Sequence, residues 1–305
     1  MWPFSKKRTI AQSGILAGCT DHHSHILPGV DDGVESMDEA LRILATYEAA
    51  GVKELWLTPH IMEDIPNTPD KLRARFAELT ARYKGSITLH LAAEYMIDNH
   101  LRSLLMNCHS VTNNCPSFER GTSNAGSIAE GVKDNNNSPS FNEGQRGGAL
   151  HGKRAKEAAL CHFEPKGEIS TTKEELLPIG TKGNHLLVET SYFNPPMRLH
   201  ETLRQIKSLG YHPLLAHPER YMYMDEEEYI QLHQEGVKFQ LNLPSICGGY
   251  GNTVKKRAQW LLKKGLYDVI GSDTHCEEGV EFMMTSKLEG KHAGHIKFIT
   301  SNQHI

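Results

Sequence analysis

The stretch from Asp21 to Gly33 reads DHHSHILPGVDDG and packs three histidines and three aspartates into thirteen residues. Imidazole nitrogens and carboxylates are the usual ligands of zinc, manganese and iron. On an extended strand a His-x-His pair points both rings to one side, so His23 and His25 share a face and His22 takes the other. A metal site is the first chemistry to test. A solvated His-rich loop has the same composition, and the rest of the chain must decide between them.

Residues of the same kind recur at the ends of apolar runs. ELWLTPH ends in His60, SITLHLAAE in Glu94, HLLVE in Glu189, HPLLAH in His217, VKFQLN in Asn242, and LYDVIGSDTH in Asp273 and His275. With the first run that makes seven strands, each ending in His, Glu, Asp or Asn. Taken singly, each of these residues reads as a helix cap or a polar loop residue; a repeat at all seven ends is hard to obtain that way. Helical patterns separate the strands. SMDEALRILATYEAAG opens on a capping box, Ser36 with Glu39, and closes at Gly51. TPDKLRARFAELTARY has Thr68 as N-cap and Pro69 at the first helical position, with Leu72, Phe76, Leu79 and Tyr83 on one face. RLHETLRQIKSLG, DEEEYIQLHQEG and NTVKKRAQWLLKKG follow the same period. Alternating strands and helices imply parallel βα units, and in a (β/α) barrel the strand C-termini converge on one mouth.

The chain has 305 residues and a formal net charge of −4, with no basic block, which disfavours a nucleic-acid partner. ILAGC, after the basic start, is too short for a signal peptide or a membrane span, so the expected location is cytoplasmic. The six cysteines form no C-x-x-C pair and suit reduced thiols. One interval breaks the rhythm. Between Glu94 and Glu189 lie about 65 extra residues, assigned to 107–172, of which only nine are Leu, Ile, Val or Phe. This segment reads as a largely disordered insertion with one short helix near KRAKEAAL. Its Cys108, Cys115, His151 and His162 are too irregularly spaced to favour a zinc site. The expected organisation is an N-terminal tail and start of the first strand over 1–20, then a barrel domain over 21–305 interrupted by the insertion.

With these residues assembled, the chain resembles the PHP (polymerase and histidinol phosphatase) superfamily, and within it the CpsB/CapC (YwqE-like) metal-dependent protein tyrosine phosphatases of bacterial capsule and exopolysaccharide systems. The likeness rests, in order, on DHHSHILPGVDDG, TPHIMED, AAEYMID, LLVETSYFNPP, LLAHPERY, FQLNLPSICGGYG and GSDTH. It covers nearly everything except the insertion and the termini. It implies an α/β fold, a distorted seven-stranded (β/α)7 PHP barrel, with up to three metal ions at the strand C-termini. Carried over by position, one ion would be held by His23, His25, Glu94 and Asp273. A second would be held by Glu94, Glu189 and His217, and a third by Asp32, His60 and His275. The mixed donor set suits manganese, with iron or zinc as alternatives. Arg220 matches the family's phosphate-binding arginine; the other reading of it is a salt bridge to a barrel carboxylate.

The resemblance further implies hydrolysis of phosphotyrosine by metal-bound hydroxide. Arg220 would stabilise phosphate oxygens, and His60 or Asp273 would assist proton transfer. The C-x5-R loop of cysteine phosphatases is absent, since Cys115 and Arg120 have the wrong spacing. The implied substrate is a phosphotyrosine protein, the tyrosine-rich tail of a kinase of capsule or exopolysaccharide assembly. Two alternatives stay open: a small-molecule phosphatase of the histidinol phosphatase type, and a catalytically impaired regulatory relic. Amidohydrolase chemistry is disfavoured because no strand ends in the lysine that group carboxylates.

Overall fold

The computed structural model describes residues 7–112, 176–180, 184–303 and 305. All elements below belong to one unit, Met1–Asn114 with Lys173–Ile305; the rest of the expected insertion lies outside the described residues.

The chain enters through β1 (Arg8–Thr9) and α1 (Ile10–Ser13), a single turn closed by a reciprocal capping box between Thr9 and Gln12. β2 (Thr20–Asp21) leads through the His-rich stretch to α2 (Met37–Ala50). Here Ser36 Oγ accepts from the Glu39 amide at 3.2 Å, and Gly51 caps the end at φ 88°. The expected capping box is only half made, because the Glu39 carboxylate accepts from the Glu277 amide (3.3 Å). It ties one helix start to another in place of closing on its own.

ELWLTPH forms two strands, β3 (Glu54–Leu57) and β4 (His60–Ile61). They part at Pro59, which has no amide hydrogen to give a ladder. α3 (Pro69–Arg82) has the expected cap and first-turn proline, with Leu72 and Leu79 buried and Phe76 and Tyr83 half-buried against the core. SITLHLAAE is split as well, into β5 (Thr88–Leu91) and β6 (Glu94–Met96). α4 (Asn99–Thr112) takes in the first six residues assigned to the insertion.

Beyond it come β7 (His185–Glu189), α5 (Leu199–Ser208) and β8 (His212–Leu215). A 3-10 turn (Pro218–Arg220) precedes α6 (Glu226–Gln234), β9 (Lys238–Asn242) and α7 (Leu243–Cys247). α8 (Gly251–Lys264), β10 (Val269–Gly271), α9 (Glu277–Thr285), β11 (Lys287–Leu288) and α10 (Gly290–Ser301) complete the chain. β1 and β11 pair antiparallel, a closure that the sequence pattern did not announce.

The remaining strands are parallel. One sheet runs β10-β9-β8-β7-β6-β4 and the other β2-β3-β5. The two are kept in step where the split strands meet: the Ala92 amide donates to Leu57 O (2.9 Å) and the Glu94 amide to Pro59 O (3.1 Å). At the other side the His22 amide donates to Ile270 O (3.1 Å), and Ser24 and Thr274 form a parallel bridge. The parallel sheet thus curls until its first and last strands touch. Side-chain alternation sorts the core into two. Leu186, Val188 and Leu215 join the large cluster under the helices, while Leu187, Leu214, Ala216, Val269, Ala92 and Trp56 form a smaller one on the opposite strand face, inside the curl.

Candidate metal centre and active site

His23 and His25 follow β2 with their Nε2 atoms 3.1 Å apart. Each ring is oriented from behind. His25 Nδ1 donates to Asp31 Oδ2 (2.8 Å) and His23 Nδ1 to Gln240 Oε1 (3.0 Å). With Nδ1 engaged from behind, both Nε2 atoms face the curl's interior, the arrangement metal-bound imidazoles use. Glu94, at the start of β6, meets them there. Its Oε2 lies 3.1 Å from His23 Nε2 and 3.2 Å from His25 Nε2, with His60 Nδ1 at 3.3 Å; its Oε1 is 3.3 Å from His217 Nε2.

The three expected ligand sets are each brought together. In the first, Asp273 Oδ1 stands 3.5 Å from His23 and 3.6 Å from His25. In the second, His217 Nε2 is 3.7 Å from Glu189 Oε2. In the third, Asp32 Oδ1 is 3.5 Å from His60 Nε2 and 3.7 Å from His275 Nε2. The sets also overlap more than expected: His60 turns its second nitrogen to Glu189 (3.3 Å), and His25 joins the Asp32, His60 and His275 group. His217 and Asp273 adopt left-handed backbone, φ 32° and 53°, leaving Arg198 as the only other non-glycine to do so among the described residues. Such conformations cost of order 1 kcal/mol or more each and concentrate where a side chain must be aimed.

Electrostatics divides the carboxylates. Burial raises Glu94, yet the histidines around it win and hold it well below the ordinary carboxylate range. Glu189 goes well above it, because burial is reinforced by the charges of Glu94 and Asp273. Asp273, though buried, is held down by His23, His217, His275 and Arg220. Burial and the neighbouring His25 lower His60 to about 4. Both Glu94 oxygens, His60 Nδ1 and His217 Nδ1 are buried without a well-formed hydrogen bond. The Glu94 oxygens, crowded by imidazole nitrogens without a well-formed hydrogen bond, fit a cation, and the mixed imidazole and carboxylate set fits manganese, iron or zinc.

Arg220 lies beside this cluster. Its Nη1 donates to Asp273 Oδ2 at 2.8 Å, so the salt bridge is made, and Asn242 Nδ2 donates to the same oxygen at 2.8 Å. The guanidinium sits between two rings, 4.2 Å from the centroids of both Tyr192 and Tyr250. A pocket of about 790 Å³ opens over these groups, lined by Asp32, His60, Glu94, Glu189, His217, Arg220, Asp273 and His275 together with aromatic residues.

Sequence reasoning missed Asp31, Gln240, Tyr192 and Tyr250. Asp31 stands next to Asp32, and the pair DD says only that one carboxylate is near; the side chain of Asp31 is fully buried while that of Asp32 is 65% exposed. His22 departs from expectation. β2 ends at Asp21, so strict alternation lapses, and the buried His22 ring lies near His185 and His90. Of the irregular Cys and His set, Cys108 lies on α4 and its partners fall outside the described residues. No helix among the described residues is long and apolar enough to cross a membrane.

Comparison with known proteins finds relatives of one kind. The chain is 24% identical over 268 residues to the tyrosine-protein phosphatase CpsB of Streptococcus pneumoniae, covering 84% of this chain and 82% of that one. It is 22% identical over 259 residues to the tyrosine-protein phosphatase YwqE of Bacillus subtilis, covering 84% and 76%. In fold it is similar to a solved structure from the study of YwqE and CpsB, described as unique metal-dependent tyrosine phosphatases. The TM-score is 0.60 at 17% identity, over 91% of this chain and 85% of that one. The family model for capsular polysaccharide synthesis, CpsB/CapC, matches residues 19–115 and 168–289, well over half of the sequence. This chain belongs to the CpsB/CapC family.

Proposed function

We propose that the chain is a metal-dependent protein tyrosine phosphatase, a phosphoric monoester hydrolase acting on phosphotyrosine in a protein, with the tail of a kinase of capsule or exopolysaccharide assembly as substrate. The observation that carries this reading is the convergence of His23, His25, Asp32, His60, Glu94, Glu189, His217, Asp273 and His275 beneath one pocket that also holds Arg220. The curled sheet is read as a seven-stranded barrel in which two strands are interrupted, at Pro59 and at Ala92.

These nine residues are the proposed ligands of up to three ions, manganese first, with Glu94 shared between two of them. Bound there, divalent ions would supply charge neutralisation for the phosphate and a water of lowered pKa. The chain's own residues do the rest. Arg220, held in place by Asp273 and two tyrosine rings, presents cationic N–H groups to the equatorial phosphate oxygens, where charge stabilisation contributes most. Asp31 and Gln240 keep the imidazoles of His25 and His23 in one tautomer. His60 and Asp273, which line the pocket, are the residues assigned to pass a proton to or from the reacting oxygens. The pocket, of about 790 Å³, has room for a phosphorylated side chain of a protein.

The test is release of phosphate from a phosphotyrosine peptide by protein purified without chelator and supplied with manganese. Turnover abolished by EDTA and by His23→Ala is expected. A folded, metal-loaded protein without turnover would remove the reading and favour the regulatory relic.

A further inference from the structure

Three of the seven large apolar side chains exposed among the described residues, Phe193, Tyr250 and Phe282, line the same pocket as the histidine and carboxylate cluster. Apolar rings at the entrance of a highly charged floor need a reason. Tyr250 has one, because its ring covers one face of the Arg220 guanidinium as Tyr192 covers another. Phe193 and Phe282 are in no such stack, and they keep 75% and 43% of their surface open.

Their places in the fold make them a pair. Phe193 follows β7, Arg220 follows β8, Tyr250 follows β9, and Phe282 sits on α9, which follows β10. Since these four strands are consecutive neighbours in the sheet, the phenylalanines come from either side of Arg220 and Tyr250 around the rim. The Phe282 ring also lies over Gly249. Its ring edge lies 3.0 Å from where a Cβ on Gly249 would be, so the glycine leaves room for the ring.

We propose that Phe193 and Phe282 form a subsite for the aromatic ring of the substrate, selecting aryl over alkyl phosphates. The inference deepens the phosphatase reading and rests on it. A ligand with an anionic head and an apolar ring matches a pocket whose floor is ionic and whose rim is aromatic. The ring of phosphotyrosine would exchange water for phenyl edges and faces there, while a short alkyl phosphate would reach the floor and leave the rim wet. The role is one of specificity; neither residue is placed near the reacting atoms.

The probes are phenylphosphonate and methylphosphonate, which share the head group and are not hydrolysed. Their dissociation constants are measured by calorimetry on the manganese-loaded full chain, on the double variant Phe193→Ala/Phe282→Ala, and on Phe193→Leu/Phe282→Leu. Wild type is expected to bind phenylphosphonate about tenfold more tightly than methylphosphonate. The alanine variant should bring that ratio close to one, and the leucine variant should retain part of it. Thermal melting of each variant confirms folding. An unchanged ratio in the alanine variant, or equal weakening of both ligands, overturns the subsite. So does equal binding of both by wild type, with the phosphatase reading left standing. Wild type that binds neither phosphonate overturns the phosphatase reading and the subsite together.

Discussion

The curl of the sheet holds two groups of histidines that behave in opposite ways. At the mouth, His23 and His25 face Glu94 and Asp273, and despite complete burial both stay above the ordinary imidazole range because the carboxylates outweigh desolvation. The other group, His22, His90 and His185, neighbours the interior apolar cluster. His90 stacks on Trp56 with ring centroids 4.5 Å apart. Ring nitrogens of all three lack a hydrogen bond, and burial lowers His22 to about 3 and His185 to about 4. His22 and His185 are buried like His23 and His25, whereas the His90 side chain stays 32% exposed with Glu54 at 3.6 Å; what differs among the buried rings is the density of carboxylates. Burial favours the neutral ring, as at His22 and His185, and the carboxylates beside His23 and His25 reverse that there, though not at His60, which stays lowered beside the same Glu94.

Removing the carboxylate at the centre of the mouth has the largest expected effect. Glu94→Gln keeps the shape and removes the charge shared by four imidazoles, so phosphatase activity should fall by about a thousandfold, measured as initial rates at saturating manganese. Activity within tenfold of wild type would mean that the carboxylate does not distinguish the two groups. Next comes the residue behind the ligands. Asp31→Asn should weaken manganese binding about 10- to 100-fold, read by calorimetric titration, with melting of the metal-free protein as the control for folding. An unchanged affinity would show that the orientation of His25 does not depend on Asp31.

The other group is tested through pH. His185 is lowered to about 4 in the folded chain from an ordinary 6.5, so the stability it contributes is complete above pH 6.5 and is lost as pH falls toward 4. At pH 5 the loss is about 1–2 kcal/mol relative to pH 8. His185→Leu should remove that increment, making the metal-free variant's urea stability flatter between pH 8 and pH 5. Parallel pH curves for variant and wild type would contradict a neutral buried ring. The smallest effect is expected from His90→Gln on bound manganese, which should not change, as elemental analysis can verify; loss of metal there would merge the two groups into one.

Much of the mouth was legible in the sequence because strands end abruptly. An apolar run that terminates in Glu189, His217 or Asp273 marks both a strand and the direction in which its last side chain is presented. Helices with strong caps, such as those begun by Ser36 and Thr68, were equally readable. What escaped detection depends on contacts between distant segments. Whether Asp31 or Asp32 turns inward is decided by the amides of Gly33 and His60, which both donate to Asp31. Gln240 looks like an ordinary strand residue until His23 and the His217 amide meet at its oxygen. The β1 and β11 pair joins residues 280 and 278 positions apart through two register partners, too short a stretch to leave a pattern. The split at Pro59 was visible as a proline, but its consequence, two strands in different sheets, follows from the neighbours on either side.

The most direct test is the number of manganese ions bound per chain after equilibrium dialysis, determined by elemental analysis on wild type and Glu94→Gln side by side. Two or more ions are expected in wild type and a loss of at least one in the variant. A wild-type chain that is folded and binds no manganese, iron or zinc would contradict this, as would a variant that keeps its full complement.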